Sequence, residues 1–288
     1  RAMTELPLVT VIIASYNHAP YIEESILSVI EQTYPNIELL VVDDGSKDDS
    51  VERIRRLHEK YGFDFRVQPN QGLSRTLNES IARAKGSLIA PLGSDDVMLS
   101  ERIATQVAYM EGKPEVGICA GNIKTIDAQG NLIQKRCRAR PFRRLDFNSM
   151  VNALEDGTPA PTLLFRREAL QAVGGFDPTI RLEDLQVELK IAYAGYFIDV
   201  LSEVLAKYRV HGANTYKDRR FMVEQVMATY ACFSDHPDYP SACAKFLNSM
   251  VLKSARDDKQ LSRELLRQLP VRFWNGKTIR GLVRLVFG

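Results

Sequence analysis

Cysteine is scarce and unpatterned in this 288-residue chain. Cys119, Cys137, Cys232 and Cys243 form no CxxC pair and show no metal-ligand spacing, which excludes a zinc module or a redox dithiol and reads as reduced thiols. No stretch reaches the roughly 20 apolar residues of a membrane-spanning helix, and no secretory leader is visible, so a cytoplasmic protein is expected. Neither sign of charge dominates. With 38 basic and 36 acidic side chains the net charge is +2, so no nucleic-acid partner is expected. Repeats and low-complexity tracts are absent, and 45% hydrophobic residues over this length suffice for a large core.

What is present is a chain of strand and helix signals that end on acids. Val9-Thr10-Val11-Ile12-Ile13-Ala14 is a β-branched apolar run whose length suits a strand covered on both faces. It breaks at Ser15-Tyr16-Asn17-His18-Ala19-Pro20; Pro20 suits the first helical position, and Glu23 and Glu24 suit the positive end of the helix dipole. Ile22, Ile26, Val29 and Ile30 share one helical face. Leu39 to Val42 predicts the next strand, which runs into Asp43-Asp44-Gly45-Ser46. In an open parallel sheet ligands gather at the carboxyl ends of strands, so this acid pair is placed to read a ligand. The same residues are turn formers, and a turn with a helix cap is the structural alternative.

The alternation continues. Asp48 and Asp49 are placed to cap a helix facing inward with Val51, Ile54, Leu57 and Tyr61, and Phe63 to Val67 reads as a strand. Asn70-Gln71-Gly72 turns into a helix carrying Leu73, Leu77, Ile81 and Ala84, with Gly86 as its left-handed cap. Ser87 to Leu92 is a strand that Pro91 assigns to a sheet edge or to the strand's end, and it runs into Gly93-Ser94-Asp95-Asp96. A helix with Ile103, Val107 and Met110 and a strand from Val116 to Ala120 follow. The expected fold class is therefore α/β, a Rossmann-type layered fold with a mixed, mostly parallel sheet. The middle segment is basic, with Lys135, Arg136, Arg138, Arg140, Arg143 and Arg144, which reads as a solvated face or as a surface for an anionic acceptor. Thr162 to Phe165 resumes as a strand, Gly174-Gly175-Phe176-Asp177 is a tight turn, and a helix starts near Glu183-Asp184. Short strands are expected at Tyr196 to Val200 and Val204 to Val210, and a helical extension from Asp218 onward.

Three acid pairs stand out: Asp43-Asp44, Asp95-Asp96 and Glu183-Asp184, with His211 after a predicted strand between Arg209 and Asn214. Hard oxygen donors with an imidazole suit Mn2+ or Mg2+, and an acid apart from them is free to act as a general base. The structural alternatives are a cap for the helix after Leu99 at Asp95-Asp96, and an acidic first helical turn at Glu183-Asp184.

In this order and spacing, Val11 to Asn17, Val42 to Ser46, Asn70-Gln71-Gly72 with Asn78, Ser94-Asp95-Asp96, Gly174 to Asp177, Glu183-Asp184 and Tyr208 to His211 resemble the inverting nucleotide-sugar glycosyltransferases of family 2, of the GT-A fold and the bacterial envelope type. The resemblance covers about residues 7–215. It implies a GT-A domain over 1–215, with a nucleotide-binding half at about 7–120 and an acceptor half at about 121–215, and a helical C-terminal extension at 216–288. By the resemblance, Ala14, Ser15, Tyr16, Asn17, Asp43, Asp44, Asn70, Gly72, Asn78 and Asp95 hold the nucleotide sugar. Asp95 and His211 hold a metal, Mn2+ or Mg2+, and Asp184, with Glu183 as alternate, is the base that deprotonates the acceptor. The donor it implies is a nucleoside-diphosphate sugar, UDP- or dTDP-linked with rhamnose among the sugars, and the acceptor a glycan or lipid-linked glycan of envelope polysaccharide or lipopolysaccharide.

Two positions depart from that pattern: Gly93 stands where the family commonly has an acid, and Leu77 where an Arg often precedes the Asn, with Arg75 two residues earlier. A nucleotidyltransferase is the rival enzyme class, but those carry a glycine-rich basic loop where this chain has Ser15 to Pro20. A transferase-like module that binds without turnover is the other rival. The segment Val271 to Phe287 is basic and aromatic, and suits either packing on the core or peripheral contact with the inner face of the plasma membrane.

Overall fold

The computed structural model describes residues 5–136, 139–152, 157–212 and 218–288; Cys137, Arg138 and Asn214 lie outside them. The elements β1 (Val9–Ser15), α1 (Ile22–Ile30), β2 (Ile37–Asp43), α2 (Ser50–Tyr61), β3 (Asp64–Val67), α3 (Leu73–Arg83) and β4 (Leu88–Gly93) alternate in order. They are followed by β5 (Val97–Met98), α4 (Arg102–Met110), β6 (Val116–Ile126), β7 (Arg143–Leu145), α5 (Phe147–Val151), β8 (Leu164–Arg166) and α6 (Arg167–Ala172). The chain continues through α7 (Glu183–Tyr193), β9 (Phe197–Arg209), α8 (Arg219–Ala231), α9 (Tyr239–Asp257), α10 (Lys259–Gln268) and α11 (Gly276–Phe287). By its internal contacts the chain divides into two compact units. The first is Arg1–Asp146, Gly157–Thr179 and Gln186–Gly212; the second is Phe147–Asp156, Ile180–Leu185 and Ala213–Gly288.

The first unit is built on one sheet in the order β3-β2-β1-β4-β8-β6-β9-β5, with β7 paired to β9. Strands β1, β2, β3, β4, β6 and β9 run one way, and β5, β7 and β8 run against them. The sheet is therefore mixed and mostly parallel, as the strand-helix alternation predicts. Val9 to Ile13 are buried on both faces of β1, because helices cover a parallel sheet on each side. Ile22 and Ile26 of α1, Ile54 of α2 and Ile103 and Met110 of α4 fill one side of that core. In register, Ser15 lies beside Asp43, and Ala14 lies beside Gly93. The loops that leave β1, β2, β4 and β9 therefore open on the same edge of the sheet.

Several local expectations are corrected. Pro20 lies in the turn before α1 and not at its first position. Gly86 is no left-handed cap. A β-carbon there would stand 2.6 Å from the Thr10 backbone nitrogen, so the glycine serves the close approach of the chain to β1. β4 is central, not an edge, and tolerates Pro91 because β8 pairs with it only through Leu88 and Ile89. The two short strands expected from 196 to 210 are one strand, β9, paired along β6 with register shifts that absorb Ser202 and Glu203. Asp49 precedes α2, but its carboxylate pairs with Arg53 while Asp48 accepts from the Ser50 backbone.

The basic middle segment is not simply a solvated face. Arg144 makes a bidentate pair with the buried Asp199 at 2.8 and 2.9 Å and stacks on Phe197. In the second unit, α9 packs against α8, α10 and α11, with Val223, Leu247, Val251, Leu261, Leu265 and Leu269 as its core. The α11 N-terminus carries a capping box between Asn275 and Thr278. Gly281 faces α9, where a β-carbon would meet Val251 at 2.9 Å, so this glycine sets how close the two helices lie. Among the described residues no helix is long and apolar enough to cross a membrane.

Candidate functional site

The acids after β2 organise the loops around them. Asp43 is buried and accepts from the Ser46 backbone at 2.8 Å and from the Ser46 hydroxyl at 2.7 Å. Asp44 is also buried, and both its oxygens are filled. Gln68 Nε2 and the Gln71 backbone donate to Oδ1, while Asn70 Nδ2 and the Gly72 backbone donate to Oδ2. Gly72, at φ 93°, adopts a conformation that a side chain would disfavour. Asn70, Gly72 and Asp44 are thus brought together as one rim, shaped by Asp44. Gly45 belongs to it as well: at φ 82°, its missing β-carbon would stand 2.7 Å from the Asn70 backbone.

The loop after β1 is laced to the loop after β2. Asn17 takes the left-handed conformation that asparagine tolerates, at φ 52°. Its backbone N–H donates to Ser46 Oγ, and its Oδ1 accepts from the Lys47 backbone at 2.8 Å. The Ala19 N–H donates to Asp48. Tyr16 is exposed beside this lacing, and Ala14 is half-buried. Ser15 Oγ is buried and has no hydrogen-bond partner among the described residues.

At the end of β4 the chain makes a tight acidic turn. Asp95 Oδ2 lies 2.8 Å from His211 Nε2 and 4.0 Å from His18 Nε2. His18 Nδ1 in turn lies 2.6 Å from Ser94 Oγ. The three donor atoms fall within 4.8 Å of one another, and the two imidazole rings stand perpendicular with centroids 5.4 Å apart. Donors sharing one ion with bonds of roughly 2.1 Å stand about 3–4 Å apart, so two nitrogens and one oxygen this close together could hold a divalent cation after small side-chain adjustments. Burial lowers the His18 pKa, against the opposing pull of Asp95, and so favours the neutral ring that a ligand requires.

Arg209 holds this turn from beneath. It is 2% exposed. Its backbone N–H donates to Asp96, its Nε donates to the Asp95 carbonyl at 2.9 Å, and Nη2 meets Glu24 at 2.6 Å. The guanidinium also lies over the Tyr21 ring, 4.8 Å from its centroid. Burial, then the Asp95 charge, pushes the Asp96 carboxyl well above its ordinary range, so Asp96 is a structural anchor and Asp95 the outward donor. The Asp96 carboxylate also explains Gly93: a β-carbon at 93 would stand 2.7 Å from Asp96 Oδ2. An acid at 93 has no room while Asp96 keeps this place.

Asn78 also belongs to the first unit. Its Nδ2 donates to the Phe176 carbonyl and its Oδ1 accepts from the Phe176 backbone, so both ends of its amide hold the turn that Gly174 and Gly175 allow at φ 76° and 71°. Arg75 is exposed on the first turn of α3. Glu183 and Asp184 open α7 within the second unit and are half-buried. Burial raises Asp184 to about 6; burial and then the Asp184 charge raise Glu183 to about 7. A carboxylate in that range accepts a proton near neutral pH more readily than an ordinary one.

The sequence reading singled out His211 and missed His18. The available signal was position alone: His18 sits in the loop leaving the carboxyl end of β1, where parallel sheets collect ligands. A concavity of about 900 Å³ lined by Tyr34, Ile37, Phe63, Asp64 and Arg83 lies at the amino ends of β2 and β3. It carries none of these donors, and size is a weaker guide than convergent chemistry, so the site is assigned to the acidic edge.

A mixed, mostly parallel sheet with acids and imidazoles gathered at the carboxyl ends of its strands is the arrangement of the GT-A fold. The glycosyl transferase family 2 model matches residues 10–174, and the chain belongs to that family. An uncharacterized glycosyltransferase of Nostoc is 33% identical over 218 residues; the match covers 72% of this chain and 66%, just under two thirds, of that protein. The O-antigen biosynthesis glycosyltransferase WbnJ of Escherichia coli is 28% identical, over 80% of this chain and 87% of the relative. Among solved structures, TarS 1–349 of S. aureus in complex with UDP-GlcNAc has a TM-score of 0.69 at 17% identity, covering 92% of this chain and 82% of that one. The mannosyltransferase PcManGT of Pyrobaculum calidifontis, in complex with GDP-Man and Mn2+, has a TM-score of 0.64 at 20% identity, covering 98% and 86%. At these identities the two structures bear on the fold.

Proposed function

We propose that the chain moves a sugar, with inversion, from a UDP- or dTDP-linked donor, rhamnose being one candidate sugar, to a glycan or lipid-linked glycan in bacterial envelope polysaccharide or lipopolysaccharide synthesis. The observation that carries this reading is Asp95 set between two imidazoles on the same sheet edge as the rim built by Asp44. The Escherichia coli relative named for O-antigen biosynthesis supports the setting, and the two structures holding nucleotide sugars support the donor class. Asp43, Asp44, Asn70 and Gly72, with Ala14, Ser15, Tyr16 and Asn17, would form the nucleotide side. Asp95 and His211 would hold Mn2+ or Mg2+, whose charge offsets that of the departing diphosphate. Asp184, with Glu183 beside it, would take the acceptor's proton, while Asn78 would act through the turn that it clamps. In this reading residues 1–215 form the transferase domain and 216–288 its helical extension.

The test is thermal stabilisation by UDP, dTDP, GDP and CMP, each with and without Mn2+ or Mg2+. A nucleotide at a hundred times its dissociation constant adds about 2.7 kcal/mol, and a metal-dependent shift with one base identifies the donor class. No shift with any of them sinks the nucleotide-sugar reading.

The same reading includes peripheral contact with the membrane through α11. Ile279, Val283, Val286 and Phe287 are exposed along this helix, the last two at 69% and 84%, and Lys277, Arg280 and Arg284 lie among them. An apolar stripe flanked by cations suits an anionic lipid surface. Sedimentation with phosphatidylglycerol vesicles is expected for the wild type, and not with phosphatidylcholine alone. Val283→Asp/Val286→Asp should abolish it; equal sedimentation of this variant would remove α11 from the reading.

A further inference from the structure

We propose that His18 is a third protein ligand of the divalent ion and that its imidazole makes the site prefer Mn2+ to Mg2+. The inference rests on the reading of Asp95 and His211 as the metal side of the transferase site, and it adds a ligand from a different loop. The ring is placed, not incidental. Asn17, in its left-handed conformation, is pinned on both sides to the loop after β2, and His18 follows it directly. Ser94 Oγ stands 2.6 Å from Nδ1. In the tautomer whose Nδ1–H donates to that hydroxyl, Nε2 carries the lone pair, and Nε2 is the atom turned toward Asp95 Oδ2 at 4.0 Å. A hydrogen-bonded second nitrogen is how metal-binding histidines fix their tautomer and direction. A histidine kept only to hold its loop would satisfy that role through Ser94, with no reason to aim its other nitrogen at the same carboxylate oxygen that His211 meets at 2.8 Å.

The donor set is then two nitrogens and one carboxylate oxygen. Mg2+ is small, keeps its waters and favours oxygen donors throughout; Mn2+ accepts imidazole more readily, in line with its stronger binding to nitrogen-containing sites. Three ligands from the protein also leave positions open on a six-coordinate ion for oxygens of the substrate. With Asp95 and His211 alone, the nitrogen share falls and the discrimination between the two ions weakens.

The test uses the full chain and the metals alone. Mn2+ binding is followed by loss of the free-ion electron paramagnetic resonance signal, with Mg2+ as competitor, and the bound spectrum is read for nitrogen modulation. Wild type is expected to show two coordinated imidazoles; His18→Gln should show one, with the Mn2+-over-Mg2+ affinity ratio reduced on the order of tenfold. The melting temperature of each variant checks that the fold is kept. Asp95→Asn separates the two levels of the argument. If Asp95→Asn removes Mn2+ binding while His18→Gln keeps two imidazoles and an unchanged ratio, the His18 assignment falls and the site reading stands. If wild type binds no Mn2+, or Asp95→Asn binds it as wild type does, both fall.

Discussion

Asp184→Asn is expected to lower sugar transfer by roughly a hundred- to ten-thousand-fold while leaving donor binding within about twofold of wild type. The amide keeps the shape of the side chain and, with Asp184 as the proposed base, removes the capacity to take the acceptor's proton. The pH dependence follows from the same carboxyl. Its pKa is raised to about 6 by burial, so it is competent only where ionised; the rate should rise with pH through about 6 and then level off. The sign for stability is opposite. A carboxyl raised above its ordinary value binds its proton more tightly in the folded state, so stability is greatest below the ordinary aspartate range and falls as pH rises toward 6. At pH 7 the wild type carries the cost of an ionised, half-buried carboxylate, and Asp184→Asn removes it. With solvent screening part of that cost, the variant should be more stable by about 1–2 kcal/mol at pH 7, and the gain should shrink as pH is lowered. Urea unfolding at two pH values and initial transfer rates measure both effects. Transfer near the wild-type rate would exclude Asp184 as the base and turn attention to Glu183, raised to about 7.

Asp44→Ala is expected to cost about 3–5 kcal/mol of stability and to abolish nucleotide binding with it. The reason is the number of donors that converge on one buried carboxylate. Removing it strands two backbone N–H groups, those of Gln71 and Gly72, which cannot turn elsewhere, and leaves Gln68 and Asn70 only their second acceptors, Thr76 Oγ1 and the residue 44 carbonyl. Asp44→Asn should recover little of this, since its NH2 would face N–H donors on one side. For a chain of this size the loss amounts to a fall of roughly 5–8 °C in melting temperature. An Asp44→Ala protein that melts like wild type but binds no nucleotide would mean that Asp44 contacts the ligand and does not build the rim.

The elements were legible because their signals are local. The 3.6-residue spacing of Ile22, Ile26 and Val29, and the continuous apolar run of β1, each report what one segment buries, whatever lies across from it. The misreadings share one cause. Pro91 was read as an edge signal because the sequence does not say how far a neighbouring strand extends, and β8 reaches only its first two residues. Gly86 was read as a cap because a glycine that permits close approach looks the same in sequence as one with positive φ. Gly93 does lack the family's acid, and the structure adds the reason: a β-carbon there would meet the Asp96 carboxylate.

By itself the sequence determined the α/β alternation, the acids at strand ends and the family, because these depend on residue order and spacing. Only the tertiary structure decided which polar groups meet. His211 and Asp95 lie 116 residues apart and touch. Asn78, placed by the sequence among the ligand contacts, also closes on the Phe176 backbone 98 residues away. His18 joins Asp95 because β1 and β4 lie side by side in the sheet and their carboxyl ends open together. Strand order is set by the burial of whole faces against one another, a property of the packed chain and of no single segment.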